Sequence, residues 1–190
     1  LDLYEVVRSL DEVMTGDEIV LYDAGQSYYV VPQVMRCKGT QRFLAPGSLA
    51  QMGWALPAAI GAARANPNVP VVCIVGDGSL MTNVQELATL AYSGLNVKVI
   101  VIDNGGYASI RNTQDRYCEG RRTGSDSMTV RMPPDLTEMI EGMGLPTSII
   151  DSRLELANFS DYLRGKGAEA VVIKCRHDQE VRSPSSMGVP

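Results

Sequence analysis

Hydrophobic positions along this chain follow two patterns: short unbroken runs of β-branched residues, and longer stretches in which apolar residues return at helical spacing. Val71 to Val75 is an unbroken apolar run, the pattern of a strand covered on both faces as parallel sheets require, and Val97 to Ile102, interrupted only by Lys98, reads as a second buried strand. Between them, the stretch NVQELATLAYSG places Val84, Leu87, Ala88 and Ala91 at helical spacing and stops at Gly94. Strand, helix and strand make a βαβ unit. Its right-handed crossover puts the two strand ends on the same edge of a parallel sheet.

The same two patterns continue on either side. Leu1 to Met14 reads as an amphipathic helix with Leu3, Val6, Val7, Leu10 and Val13 on one face, ended by Thr15-Gly16-Asp17. A strand over Ile19 to Tyr22 follows, then a short helix beginning at Tyr28 to Val31, a short strand over Arg42 to Leu44, and an alanine-rich helix from Gln51 to Arg64. Beyond the central unit, Ala108 to Arg116 predicts a helix. Glu119 to Pro134, poor in apolar residues and rich in arginine, glycine and serine, predicts a mobile loop. A helix over Asp135 to Met143, a strand over Thr147 to Ile150, a helix over Leu154 to Leu163 and a buried strand over Ala168 to Lys174 complete the series. Such alternation predicts an α/β fold, a three-layer, doubly wound, mostly parallel sheet with helices on both faces. One domain is expected over residues 1–175, with 176–190 as an extended polar tail.

Composition narrows the function classes. A chain of 190 residues with 45% hydrophobic content suits one domain with a sizeable core. The net charge of -5 leaves no basic footprint for nucleic acid, and no apolar run is long enough to span a membrane. Cys37, Cys73, Cys118 and Cys175 contain no C-x-x-C, which favours reduced thiols of a cytoplasmic protein over disulfides or a zinc site. No G-x-G-x-x-G follows a strand, which disfavours a dinucleotide enzyme. His177, the single histidine, reads as a solvated side chain in a charged segment. Arg111, Arg116, Arg121 and Arg122 read as either a face toward an anionic substrate or, more commonly for such a cluster, a solvated surface.

Candidate chemistry sits at the ends of the two central strands, Gly76-Asp77-Gly78-Ser79 and Asp103-Asn104-Gly105-Gly106-Tyr107. Asp77 and Asn104 face one site if the crossover is right-handed. A carboxylate and an amide oxygen are hard donors suited to magnesium, which takes few protein ligands where phosphates supply the rest. Amides of the Gly78-Ser79 turn favour an anion, so the pair of motifs reads as a magnesium diphosphate site. The competing reading is an ordinary strand-to-helix turn with Asp77 as a cap.

The two motifs resemble those of the C-terminal thiamine diphosphate-binding domain of the acetolactate synthase, benzoylformate decarboxylase and pyruvate decarboxylase superfamily. Leu56-Pro57-Ala58-Ala59-Ile60-Gly61-Ala62 after Met52-Gly53-Trp54, then Asn66-Pro67, extend the likeness. The resemblance implies magnesium on the Asp77 and Asn104 side chains and the Gly106 carbonyl, and diphosphate on the amides of Gly78 and Ser79. It implies further diphosphate contacts from Gln26 and Ser27 in the D-x-G-Q turn, although Ser27 stands where relatives often have histidine. Met52 would wedge between the cofactor's rings, and the Ala50 carbonyl would accept from the aminopyrimidine; Gly76 and Tyr107 complete the cofactor-binding set. Plain core packing for Met52 and a helix-start role for Gln26 are the competing readings. Asp103 departs from the usual asparagine.

The activating glutamate of such enzymes lies in a separate pyrimidine-binding domain, so the resemblance implies a subunit or piece of a larger, oligomeric assembly, inactive alone, that decarboxylates or joins 2-keto acids. Asn112-Thr113-Gln114 stands where acetolactate synthases carry a tryptophan, and the stretch from Gly106 to Gln114 resembles acetolactate synthase-like proteins associated with surface polysaccharide or modified sugar synthesis. A non-catalytic magnesium diphosphate-binding module, regulatory or assembly-related, is the alternative.

Overall fold

Both faces of the central strands are buried, as their unbroken apolar runs require. Along β1 (Ile19–Tyr22), β3 (Val71–Gly76) and β4 (Val97–Asp103), successive side chains alternate between two cores. Leu21, Cys73, Val75, Val99 and Val101 enter one core, and Val20, Val72, Ile74, Ile100 and Ile102 the other. The computed structural model describes residues 1–133 and 135–182. With β2 (Arg42–Leu44), β5 (Thr147–Ile150) and β6 (Glu169–Lys174), these strands form a 6-stranded sheet in the order β2-β1-β3-β4-β6-β5, every neighbouring pair parallel.

Helices cover both faces. α3 (Ala55–Ala65), α5 (Glu86–Ala91) and α7 (Leu136–Gly142) bring Ala59, Leu87, Leu90 and Ile140 to the first core. α1 (Leu3–Val13), α2 (Gln26–Val34) and α8 (Phe159–Arg164) bring Leu10, Val30 and Phe159 to the second. Each fully buried side chain of this size contributes about 1.5–3 kcal/mol. The fold is the three-layer, doubly wound α/β architecture that the pattern predicts. Among the described residues, no helix is long and apolar enough to cross a membrane.

Helix starts depart from the pattern in four places, one of them α8, where a 3₁₀ turn over Glu155–Asn158 takes up the first part of the helix expected from Leu154. α4 (Asp77–Leu80) begins immediately after Gly76, the last residue of β3, with no intervening loop, and passes through a 3₁₀ turn before α5. The interruption falls where Thr82 Oγ1 donates to the Ser79 carbonyl at 2.7 Å and Asn83 Nδ2 to the Gly53 carbonyl at 2.6 Å, local bonds that compete with a regular helix. α2 begins at Gln26, ahead of the tyrosines. α3 begins at Ala55 rather than Gln51, because Ala50 and Gly53 both adopt left-handed backbone. α6 (Ala108–Tyr117) stands where expected.

Residues 119–133 carry no helix or strand, and Pro134 lies outside the described residues. Residues 176–182 are irregular but packed, while 183–190 lie outside the description. The Leu1 amino group donates to the Lys174 carbonyl at 2.9 Å, and the Arg176 amide to the Leu1 carbonyl at 2.9 Å, so the N-terminus sits beside the end of β6. Gln179, buried at 4% exposure, accepts the Leu3 amide at 3.0 Å through Oε1. Gln179→Ala orphans that amide and opens a gap. The expected loss is about 1–3 kcal/mol, read as a lower urea midpoint with an unchanged slope.

Candidate functional site

Strand order sets where a ligand fits. From β1 the chain moves outward to β2, and from β3 it moves the opposite way to β4. The carboxyl ends of β1 and β3 therefore flank the point where the winding reverses, where open α/β sheets form a crevice. A cavity of about 280 Å³ lies there. Gln26 and Ser27 approach it after β1, Gly76 to Ser79 after β3, Asn104 and Tyr107 after β4, and Ala50 and Met52 from the loop before α3. Of the residues that the resemblance assigns to cofactor or metal, all except Gly106 line this cavity.

Two helices start at the cavity. Neither α2 nor α4 has a side-chain bond from its N-cap residue, so first-turn amides other than that of Gly78 remain available to an anion between them. A Cβ at Gly78 would lie 2.9 Å from the Tyr107 ring, so any larger residue there requires that ring to move. The Gly78 amide donates to Asp77 Oδ1 at 2.7 Å. The Ser27 hydroxyl turns back on the carbonyls of Asp23 and Ala24, at 3.0 and 3.2 Å. Met52 is 45% exposed on the cavity wall, outside both cores, which removes the core-packing reading.

Asp77 is the hinge of the site. Its Oδ2 accepts the Asn104 amide at 3.2 Å and the Gly106 amide at 2.6 Å, tying the end of β3 to the loop after β4. Burial raises its pKa above the ordinary carboxylate value; the Gly106, Gly78 and Asn104 amides oppose the shift, and the Asp103 charge adds to it. Asp103 itself pairs with Lys174 at 2.5 Å and accepts the Gly105 amide at 3.3 Å. Asn104 Nδ2 donates to Gln26 Oε1 at 3.2 Å, and Gln26 Nε2 donates to the Gln179 carbonyl. Gln26 is thus both the first residue of α2 and the group that orients the Asn104 amide. Asp77 and the Asn104 Oδ1 are the side-chain acceptors available here for a hard cation. The Gly106 carbonyl instead accepts from Arg111.

Two supporting residues escape the sequence pattern. Arg111 is neither solvated nor turned to a substrate: it is 1% exposed and hydrogen-bonded to main-chain carbonyls, whereas Arg116, Arg121 and Arg122 are exposed. Arg122 pairs with Asp115 at 2.6 Å. Asp23, wholly buried at the end of β1, accepts the Ala55 amide at 3.2 Å through Oδ2 and leaves Oδ1 unpartnered. Burial pushes its pKa up to about 6, against the Ala55 amide, the Ser79 hydroxyl and the Trp54 and Gly53 amides. A polar residue closing a buried strand was the available signal. Tyr28, Tyr29, Ser109 and Ile110 also line the cavity without any motif to mark them. His177 is exposed, as expected; burial lowers its pKa, with help from the Arg111 and Arg122 charges.

Known proteins resemble this chain in sequence. The family model described as "Thiamine pyrophosphate enzyme, C-terminal TPP binding domain" matches residues 23–175. Acetolactate synthase, chloroplastic, of Arabidopsis thaliana is 31% identical over 180 residues, covering 92% of this chain and 27% of that protein. The acetolactate synthase large subunit of Lactococcus lactis is 32% identical over 154 residues, covering 81% of this chain and 26% of that protein. The chain therefore spans about a quarter of the length of these relatives.

Asp23 gives the site a measurable pH signature. Because its folded-state pKa of about 6 lies above the ordinary 3.8, the folded chain holds this proton more tightly than the unfolded one. Its contribution to stability is complete below pH 3.8 and is lost as pH rises through about 6. Asp23→Asn keeps the shape without the charge. Relative to wild type it gains stability between pH 4 and pH 7, by up to about 3 kcal/mol, read from urea unfolding at the two pH values.

Proposed function

Since the chain belongs to the thiamine pyrophosphate enzymes, as their C-terminal cofactor-binding domain, we propose that it forms the magnesium and diphosphate half of an active site acting on a 2-keto acid. The observation that carries this reading is the convergence of two uncapped helix starts with Asp77 and the Asn104 Oδ1 on one cavity at the reversal of the winding. A diphosphate fits between the helix starts, and magnesium fits a carboxylate and an amide oxygen that leave most of its shell to phosphate and water. Among the described residues, no three His, Cys, Asp or Glu side chains gather into a self-sufficient metal cluster.

In this reading Asp77 and Asn104 hold the metal, the Ser79 amide and the first turn of α2 hold the diphosphate, and Met52 props the cofactor's rings. Thiamine diphosphate, when bound, supplies a thiazolium carbon that adds to a keto group and accepts the electron pair left by departing carbon dioxide. The reaction class is decarboxylation or carboligation, in keeping with the acetolactate synthase names of the relatives. A pyrimidine-binding domain, on another chain or on a further part of a longer one, supplies the activating glutamate. Exposed Tyr29, Leu49, Met52 and Ile110 offer it an apolar rim. The second reading, a non-catalytic binding module, draws support from the Gly78 amide and the Gly106 carbonyl, both engaged within the chain.

Calorimetric titration with thiamine diphosphate, with and without magnesium, tests the first reading. Magnesium-dependent binding is expected in wild type and is lost in Asp77→Asn, with cooperative thermal unfolding retained; equal affinity in the variant sinks the metal assignment. The isolated chain is expected to release no carbon dioxide from pyruvate or other 2-keto acids until a glutamate-bearing pyrimidine domain is added. Binding that no such domain converts into turnover favours the module.

A further inference from the structure

Asn104, Gly105 and Gly106 lie between two buried charges, and we propose that Arg111 is the positioning residue that holds this loop in the shape presenting Asn104 to the metal. The inference rests on the magnesium reading above. On one side, the Asp77 carboxylate takes the amides of Asn104 and Gly106. On the other, the Arg111 guanidinium takes the carbonyls of Asn104 at 2.9 Å, Gly105 at 3.3 Å and Gly106. The loop's donors face an anion and its acceptors face a cation.

The remaining bonds of Arg111 reach two other segments, the carbonyls of Ser125 at 3.1 Å and His177 at 3.0 Å. Among the described residues its hydrogen bonds all end on main-chain oxygens, and its charge is answered at longer range by Asp77. A buried cation without a contacting carboxylate is supported only while these dipoles stay turned toward it. The loop would not hold that shape unaided. Gly105, Gly106 and Tyr107 have φ of 78°, 79° and 40°, three left-handed residues in succession, the last of them carrying a bulky side chain. A planar fork with several donors meets carbonyls arriving from three segments; a lysine ammonium, with its donors on one nitrogen, does not.

Arg111 bonded to the Gly106 carbonyl allows the opposite outcome as well, a cation that merely competes with the metal, and the sign of one measurement separates the two. Magnesium is titrated at saturating thiamine diphosphate into wild type, Arg111→Lys and Arg111→Met, and amide exchange of residues 104–107 is followed without cofactor. Positioning predicts that both variants need roughly 10–100-fold more magnesium, the range for groups that hold metal ligands from behind. It also predicts faster exchange of the Gly106 amide, and recovery of magnesium affinity in Arg111→Ala on adding methylguanidinium. Unchanged or tighter magnesium binding in the variants overturns it. If Arg111→Met does not fold, Arg111→Lys, which keeps the charge, decides. If wild type binds no magnesium diphosphate, the site reading fails instead, and unaltered Gly106 exchange in the variants still overturns the positioning role.

Discussion

The Asp77 carboxylate is the constraint on which the site depends. One buried side chain accepts three backbone amides, its neighbour's and two from the loop after β4, and so fixes how the ends of two adjacent parallel strands sit relative to each other. A surface carboxylate in this role would exchange its partners with water. Buried, it has no such alternative, and the backbone folds around it. The same burial leaves the carboxylate poorly solvated and favours any cation brought beside it.

That arrangement works because the sheet is parallel and buried on both faces. Every strand then delivers its carboxyl end to one edge, and the reversal of winding between β1 and β3 leaves a gap there that no helix fills. Packing in the two cores thus fixes the position of polar groups that contribute little to the cores themselves. Wholly buried Val30 and Val31 of α2 and Leu80 of α4 pack these two helices against the strands, and the starts of both reach the cavity.

Periodicity made the inner strands legible: Ile19–Tyr22 and Val71–Gly76 stand where the apolar pattern puts them, because parallel strands buried on both faces leave a nearly unbroken apolar signature, whereas the edge strands Arg42–Leu44 and Thr147–Ile150 are short and largely exposed. Helix starts were less legible. α3 is delayed by the left-handed turn at Ala50 and Gly53, and α4 begins at once because Gly76 passes straight from extended backbone into the helix. Likeness to a known family singled out the residues proposed to hold the cofactor, and one cavity gathers nearly all of them. Asp23 and Arg111 were not. Their charge, read along the sequence, signals solvent, and only tertiary packing reveals a buried carboxylate short of a partner and a cation wrapped in carbonyls.

The pairing of Leu1 with Lys174 and Arg176 places the first residue beside the end of β6, the same edge of the sheet that carries the cavity. Polypeptide joined before Leu1 would set out from the carboxyl edge of the sheet, where residues 176–182 also run. Such an architecture shortens the tether that any attached domain needs to reach the cofactor, and it raises the local concentration of that domain at the mouth. Covalent connection and completion of the site then become one geometric problem, solved at a single edge.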